Sequence, residues 1–296
     1  MAHPINNVHP DAQVVSDAVP VAIGGIGGSG TRVIAQLLIE LGFDMGSDLN
    51  DSLDDLGFTA LFKRLDLWPI DANLRALEEA LAVYITSRGC LTPPTITAEA
   101  HQVRAERLLT HIGKTSQWLE AGTLHDRVKK LAHIESGQTR WGWKEPNTLI
   151  LLPYLMAALP QLKYIHMLRD GRDMAYSQNK NQLQLWGNSV LGRPVDINCP
   201  QDALDYWCEA HRRLVSVMDK YGHRILLIRL ESCIEDTSAT ITRVMNFLDV
   251  KHHGSLEELS QIVSKPQSLR RYRAKPSLTL NQDQIELFQR LGYRAE

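Results

Sequence analysis

The segment from Val19 to Leu41 constrains the fold more tightly than any other. It reads Val19-Pro20-Val21-Ala22-Ile23, then Gly24-Gly25-Ile26-Gly27-Gly28-Ser29-Gly30, then Thr31 to Leu41 with apolar residues at 33, 34, 37, 38 and 41. A short, apolar, β-branched run that stops at glycines is the pattern of a buried parallel strand. The recurrence that follows is that of an amphipathic helix, with Gly42 just past its end. Five glycines and one serine lie between the two. They leave several backbone N–H groups free at a helix N-terminus, where aligned peptide dipoles add roughly half a positive charge. Such a place seats a phosphate group. Glycine is needed because a side chain would block the anion and because nest-like loops use positive φ. A flexible turn is the plain alternative.

The type of phosphate loop can be narrowed. A nucleoside triphosphatase loop, GxxxxGK[ST], has a lysine for the β and γ phosphates and a hydroxyl for Mg²⁺. Here Thr31 stands where the lysine belongs and Arg32 where the hydroxyl belongs, so both requirements fail. Gly25-Ile26-Gly27-Gly28-Ser29-Gly30 does match the GxGxxG of a dinucleotide fold, and Asp44 and Asp48 follow about 20 residues on. That reading stays open.

Further along, 45–135 reads mainly as helix. Leu74, Leu77, Ala80, Leu81 and Ile85 keep one helical period and Val103, Leu108 and Ile112 another, with the Cys90–Thr97 stretch and its Pro93-Pro94 between them. Two more strands are expected, at Tyr164–Leu168 and Arg224–Leu230, the second followed by a helix near 236–248. Short apolar strands alternating with amphipathic helices predict an α/β fold with a central parallel sheet flanked by helices. Residues 1–18 read as a flexible N-terminal segment and 19–296 as one domain, with a mainly helical insertion at 50–135.

Composition excludes several classes. The 296 residues carry 32 Lys plus Arg against 34 Asp plus Glu, a net charge of −2, which argues against a nucleic-acid binder. Cys90, Cys199, Cys208 and Cys233 have no CxxC spacing, so neither a metal site nor a disulfide framework is indicated. No stretch reaches the ~18 apolar residues of a membrane span, and Met1–Pro20 does not read as a signal peptide. A soluble, cytoplasmic protein with reduced thiols is expected.

A second signal follows the Tyr164–Leu168 strand, in Arg169-Asp170-Gly171-Arg172-Asp173-Met174-Ala175-Tyr176-Ser177. An arginine at a strand end and a serine eight residues later can converge on one oxyanion, one giving a charged fork and the other a hydroxyl. The alternative is a solvated turn in which Arg169 pairs with Asp170.

Together, GGSGTR at 27–32 and WGWKEPNTLILLPYLMAALPQLKYIHMLRDGRDMAYS at 141–177 resemble the sulfotransferases that use 3′-phosphoadenosine 5′-phosphosulfate (PAPS). The likeness is greatest to the branch of tyrosylprotein and related bacterial enzymes. RILLIRLESCIEDTSATITRVMNFLDV at 224–250 and SLRRYRA at 268–274 resemble later segments of that family, whereas 50–135 matches little. The resemblance implies a P-loop-like sulfotransferase architecture and PAPS as donor, without a metal. It also implies that Gly27, Gly28, Ser29, Gly30, Thr31 and Arg32 hold the 5′-phosphosulfate. Arg169 and Ser177 would hold the 3′-phosphate, and Arg270, Arg271 or Arg273 would close over the adenosine bisphosphate.

One departure stands out. Most members of that family carry a Lys or Arg just before the Ser-Gly-Thr, to stabilise the bridging oxygen as sulfuryl leaves; here the residue is Gly28. Lys144, which matches the KDP-type lysine of the tyrosylprotein branch, is the expected substitute, and Arg32 the second. Lys144 could instead simply pair with Glu145. The acceptor's proton needs a base, for which Asp48 is the best positional match and Asp51 the next; an acidic helix-capping turn is the alternative. His166 reads as a core histidine and His252-His253 as a surface pair. Trp68, Tyr84, Trp118 and Trp186 could line an aromatic or sugar site or belong to the core. The function expected is in-line sulfuryl transfer to the hydroxyl or amine of a small molecule, carbohydrate or peptide, by a chain for which a homodimer is allowed. A P-loop-type phosphoryl transferase and a non-catalytic nucleotide-binding relative are the alternatives.

Overall fold

A computed structural model describes residues 19–89, 96–115 and 121–294. The N-terminal segment 1–18, Cys90, Pro93-Pro94 and Trp118 lie outside the described residues. Among those described, four strands make one parallel sheet: β1 (Val19–Gly25), β2 (Arg140–Lys144), β3 (Lys163–Leu168) and β4 (Ile225–Arg229), in spatial order β2-β1-β3-β4. The strands expected near 164–168 and 224–230 are both present. β2 is the addition. Arg-Trp-Gly-Trp-Lys, charged at both ends and with a central glycine, has the composition of a loop. It pairs because Gly142 lies against its register partner Val21, where a Cβ would stand 2.2 Å from the Val21 carbonyl oxygen.

Side chains alternate across a strand, and here both faces are apolar, as a parallel sheet between helices requires. Val21, Ile23, Ile165, Met167 and Ile228 pack beneath α1 (Thr31–Glu40) and α11 (Thr237–Leu248). Ala22, Trp143 and Tyr164 face α6 (Thr148–Ala158) and α9 (Pro200–Tyr221). Burying each such aliphatic side chain is worth about 1.5–3 kcal/mol. The insertion consists of α2 (Leu56–Phe62), α3 (Leu74–Ser87), α4 (Ala98–Thr115) and α5 (Ala121–Ala132). On α4 the buried stripe runs through His101, Ala105, Leu108, Leu109 and Ile112, so Val103 falls off it and is 65% exposed. Residues 44–55 are irregular rather than helical, and Asp55 donates its N–H to the Lys144 carbonyl at 2.8 Å. The acidic run is thereby laid across the end of β2. Short helices α7 (Gly171–Ala175), α8 (Asn181–Leu191), α10 (Leu230–Glu235), α12 (Leu256–Ser260) and α13 (Gln282–Arg290) complete the order.

A polar chain crosses the α6/α9 face. The Tyr164 hydroxyl lies 3.0 Å from His166 Nδ1, His166 Nε2 lies 3.1 Å from His211 Nε2, and His211 Nδ1 lies 2.7 Å from the Trp207 carbonyl. A carbonyl can only accept, so His211 Nδ1 donates and its Nε2 accepts. His166 Nε2 therefore donates, and its Nδ1 accepts from Tyr164. The core histidine read from the sequence is thus one link in a chain with a fixed direction.

Burial holds both imidazoles neutral, His166 well below the ordinary range and His211 at about 4. Their contribution to stability is present above about pH 6.5, the unfolded value, and is lost as pH falls towards 4. Glu145 has the opposite sign. Burial raises its carboxyl to about 7 from an ordinary 4.5, so its contribution is full below 4.5 and lost as pH rises through 7. The two offset each other between. Melting curves from pH 7 to 4.5 should therefore fall more steeply for Glu145→Gln than for the wild type, and less steeply for His211→Gln. Parallel slopes in all three proteins would show that neither group titrates on unfolding.

Candidate active site

The glycine loop turns from β1 into α1 through two residues in left-handed conformation, Gly28 at φ 94° and Gly30 at φ 98°. A Cβ on Gly30 would lie 2.9 Å from Leu230 Cδ1, and one on Gly27 would lie 2.9 Å from Asn179 Nδ2. No side chain caps α1 and its first turn holds no acid. The first-turn N–H groups at Thr31 and Arg32 have no partner within a helix. Ser29 is buried, and its hydroxyl makes no hydrogen bond among the described residues. A buried polar atom without a partner, beside an uncapped helix, fits an anionic ligand.

The loop has a brace that sequence reasoning missed. Gln182, on α8, accepts from Gly27 N–H at 2.9 Å and donates to the Gly25 carbonyl at 3.2 Å. Nothing in the sequence marks a glutamine more than 150 residues away as part of a phosphate loop.

Arg169 and Ser177 both reach this loop. Arg169 is 2% exposed at the end of β3, with Nη1 3.4 Å from the Gly28 carbonyl. The Ser177 hydroxyl lies 3.4 Å from where a Gly28 Cβ would be and accepts from Asn179 N–H at 3.2 Å. Arg169 does not pair with Asp170. Its Nε and Nη2 bind Asp173 at 3.2 and 2.9 Å, while Asp170 caps α7 and pairs with Arg172. Arg271 is half-buried and donates to Ser268 and Tyr176 carbonyls at 3.1 and 3.2 Å. Arg270 and Arg273 are exposed, and Arg270 is 3.4 Å from Glu235. Arg32 is exposed in the first turn of α1.

The candidate chemical groups gather at the end of β2. Lys144, the register partner of Ile23, is 3% exposed. Its Nζ lies 2.5 Å from Asp54 Oδ1 and 2.9 Å from the Ser52 carbonyl, so its partner is Asp54 rather than Glu145. Asp54 stands in the same acidic run as Asp48 and Asp51, and spacing alone could not say which of them faces the lysine. Asn50 sets the choice: its side chain accepts from Ser52 and Asp54 N–H groups, each at 2.9 Å. Asp48 pairs with Arg127 and, at 2.6 Å, with Lys130. Asp51 is exposed. Next to them, Asp55 caps α2 and binds Tyr84 and Arg88, and burial pushes its carboxyl up. Tyr84 and Trp186 are core residues, whereas Trp68 lines a cavity of about 320 Å³.

A parallel sheet whose strand ends gather a glycine loop, an uncapped helix and a buried arginine defines an anion-binding α/β protein. The sulfotransferase family model matches residues 20–254, and the chain belongs to that family. It is 26% identical to protein-tyrosine sulfotransferase 2 of Gallus gallus over 165 residues, 55% of this chain and 42% of that protein. It is 26% identical to protein-tyrosine sulfotransferase A of Caenorhabditis elegans over 132 residues, 43% of this chain and 32% of that protein. The chain thus spans less than half the length of either relative. Among solved structures, the sulfotransferase domain from the curacin biosynthetic pathway aligns with a TM-score of 0.50 and 13% identity, over 94% of this chain and 99% of that domain. That likeness is one of fold.

The lone Ser29 hydroxyl gives a direct test. Ser29→Ala should leave the apo protein equally stable or more so, because a buried unpaired hydroxyl is removed. It should weaken binding of adenosine 3′,5′-bisphosphate by about 1 kcal/mol, the usual worth of one hydrogen bond. Thermal melts and calorimetric titration read the two effects. A destabilised variant with unchanged affinity would make the hydroxyl structural.

Proposed function

We propose that the chain transfers the sulfuryl group of PAPS to a hydroxyl or amine acceptor. The observation that carries this is convergence: the uncapped loop with its unpartnered Ser29, Arg169 and Ser177 meet at the ends of β1 and β3. When bound, the donor supplies the sulfuryl group and the adenosine bisphosphate that departs. Residues 27–32 would hold its 5′-phosphosulfate through the Ser29 hydroxyl and the main-chain N–H groups other than those of Gly27 and Ser29, which are given to Gln182 and to the Ile26 carbonyl. Arg169 and Ser177 would hold its 3′-phosphate, and Arg270, Arg271 and Arg273 its outer side. Fixed donors aimed at developing charge, rather than covalent chemistry, would lower the barrier.

Lys144 and the α1 dipole are the proposed stabilisers of that charge, with Arg32 as the second cation. Asp48 is the proposed base, with Asp51 after it. Arg127 and Lys130 hold the Asp48 carboxylate in place. Since the curated relatives are protein-tyrosine sulfotransferases, a tyrosine-type phenol is the first acceptor to try. Thr31 in place of a P-loop lysine disfavours phosphoryl transfer. None of the described helices is long and apolar enough to cross a membrane, and the cytoplasm is the proposed compartment.

Calorimetry should show binding of adenosine 3′,5′-bisphosphate in preference to ATP-Mg²⁺, and labelled PAPS should turn over with a phenolic acceptor. Preference for ATP-Mg²⁺ would defeat the proposal, and binding without turnover on any acceptor would leave a nucleotide-binding relative. Lys144→Ala should lower kcat by roughly 10²–10³ with little change in donor affinity, as for a contact that strengthens in the transition state. Because this truncation strands Asp54, Lys144→Ala/Asp54→Asn is the control. A rate defect that persists at wild-type Tm assigns the lysine to chemistry, whereas recovery assigns it to structure.

A further inference from the structure

Beyond α12 the chain returns across the ends of β1 and β3 as a strap, Ser268 to Ala274, whose last four residues form a single tight turn. One fully buried carboxylate moors it. Asp173 Oδ2 accepts from Arg270 N–H at 2.6 Å and Oδ1 from Tyr272 N–H at 3.2 Å. Arg270 is in left-handed conformation, φ 61°, which non-glycine residues seldom adopt and which turns its N–H onto the carboxylate. The same Oδ2 holds the Nε–Nη2 edge of Arg169. The far side of that guanidinium meets the strap, with Nη1 3.3 Å from Ser268 Oγ and Nη2 on the Ser268 carbonyl, which also accepts from Arg271 Nε at 3.1 Å. Two guanidiniums thus close on one neutral carbonyl oxygen, and burial first, then Arg169, disfavours the charge on Arg271. A second anion would satisfy them better than the carbonyl does.

We infer that Asp173 is a positioning residue for the 3′-phosphate half-site. It fixes the rear edge of Arg169 and ties the strap to it, so that Ser268, Arg169 and Arg271 form one unit. This rests on the functional reading above. The Ser268 carbonyl takes the bonds that a phosphate oxygen takes over on binding, and Asp173 keeps Arg169 and the strap in place through the exchange.

The test compares adenosine 3′,5′-bisphosphate with adenosine 5′-monophosphate, which lacks the group in question. The wild-type full chain should prefer the bisphosphate. In Asp173→Asn that preference should collapse about tenfold or more, because one partner of a buried charged pair is gone, while affinity for the monophosphate stays within about twofold. Trypsin should also cut the apo variant faster at Arg270, Arg271 and Arg273. If the Asn variant does not fold, Tyr272→Pro deletes one donor to the same carboxylate and should erode the preference in the same direction. A preference that survives intact in the folded variant, or equal losses for both nucleotides, overturns the inference alone. A wild type that binds both nucleotides alike overturns it together with the reading it rests on.

Discussion

Everything in the site depends on where β1 ends. β1 is flanked by β2 on one side and β3 on the other, and the chain leaves it for α1 on one face and returns from β2 through α6 on the other. At such a switch the connections diverge and open a crevice at the strands' carboxyl ends. The register fixes what stands around it. Ile23 pairs with Lys144 and Ile165, so the glycine loop, the lysine and the β3 end with Arg169 leave the sheet at nearly one level. No loop has to reach far to place them together.

The crevice is charged, yet its charges are already paired. Arg169 rests on Asp173, Lys144 on Asp54, Arg270 near Glu235, and Asp48 between Arg127 and Lys130. Leaving a buried cation alone is expensive, and Asp173 and Asp54 keep the buried Arg169 and Lys144 paired. A chain of net charge −2 can in this way concentrate cations in one cleft without losing stability there. Specificity then depends on which of these pairs a ligand can take over, and Arg169, with one edge free of Asp173, is the best placed.

How much of this was legible in the sequence depends on the range of the physics involved. The strand–loop–helix at 19–41 is local: β-branched run, glycines and helical period lie within about twenty residues, and the structure follows them. Arg169 and Ser177 were legible for the same reason, since a strand end and the next helix stay together. β2 was not, because Gly142 reads as a loop residue until Val21 lies opposite. Asp173 had a faint signal in its i,i+4 spacing from Arg169, and Asp54 was hidden among equivalent acids. Gln182 had none, because its contact with Gly27 exists only once α8 is folded over the loop. Local pattern therefore gave the groups that the fold brings together at the loop, and the residues that hold them in place emerged only in three dimensions.

Gly28 shows why the missing loop cation is more than a substitution. At φ 94° the backbone is in a region that side chains rarely enter, although the space beyond, 3.4 Å from the Ser177 hydroxyl, is not closed. A lysine restored at position 28 would have to change the turn that aims the Thr31 and Arg32 N–H groups, so reinstating it is not a simple rescue. On the function proposed above, the loop would offer main-chain donors, and a positive side chain would come from another element. Lys144 is buried at the neighbouring strand end and aligned with Ile23, whereas Arg32 is exposed in the first turn of α1. A cation that must act on a developing charge is worth most where water is excluded. Under the proposed function, this favours Lys144 over Arg32 as the stabilising cation, and Lys144 would first have to give up Asp54.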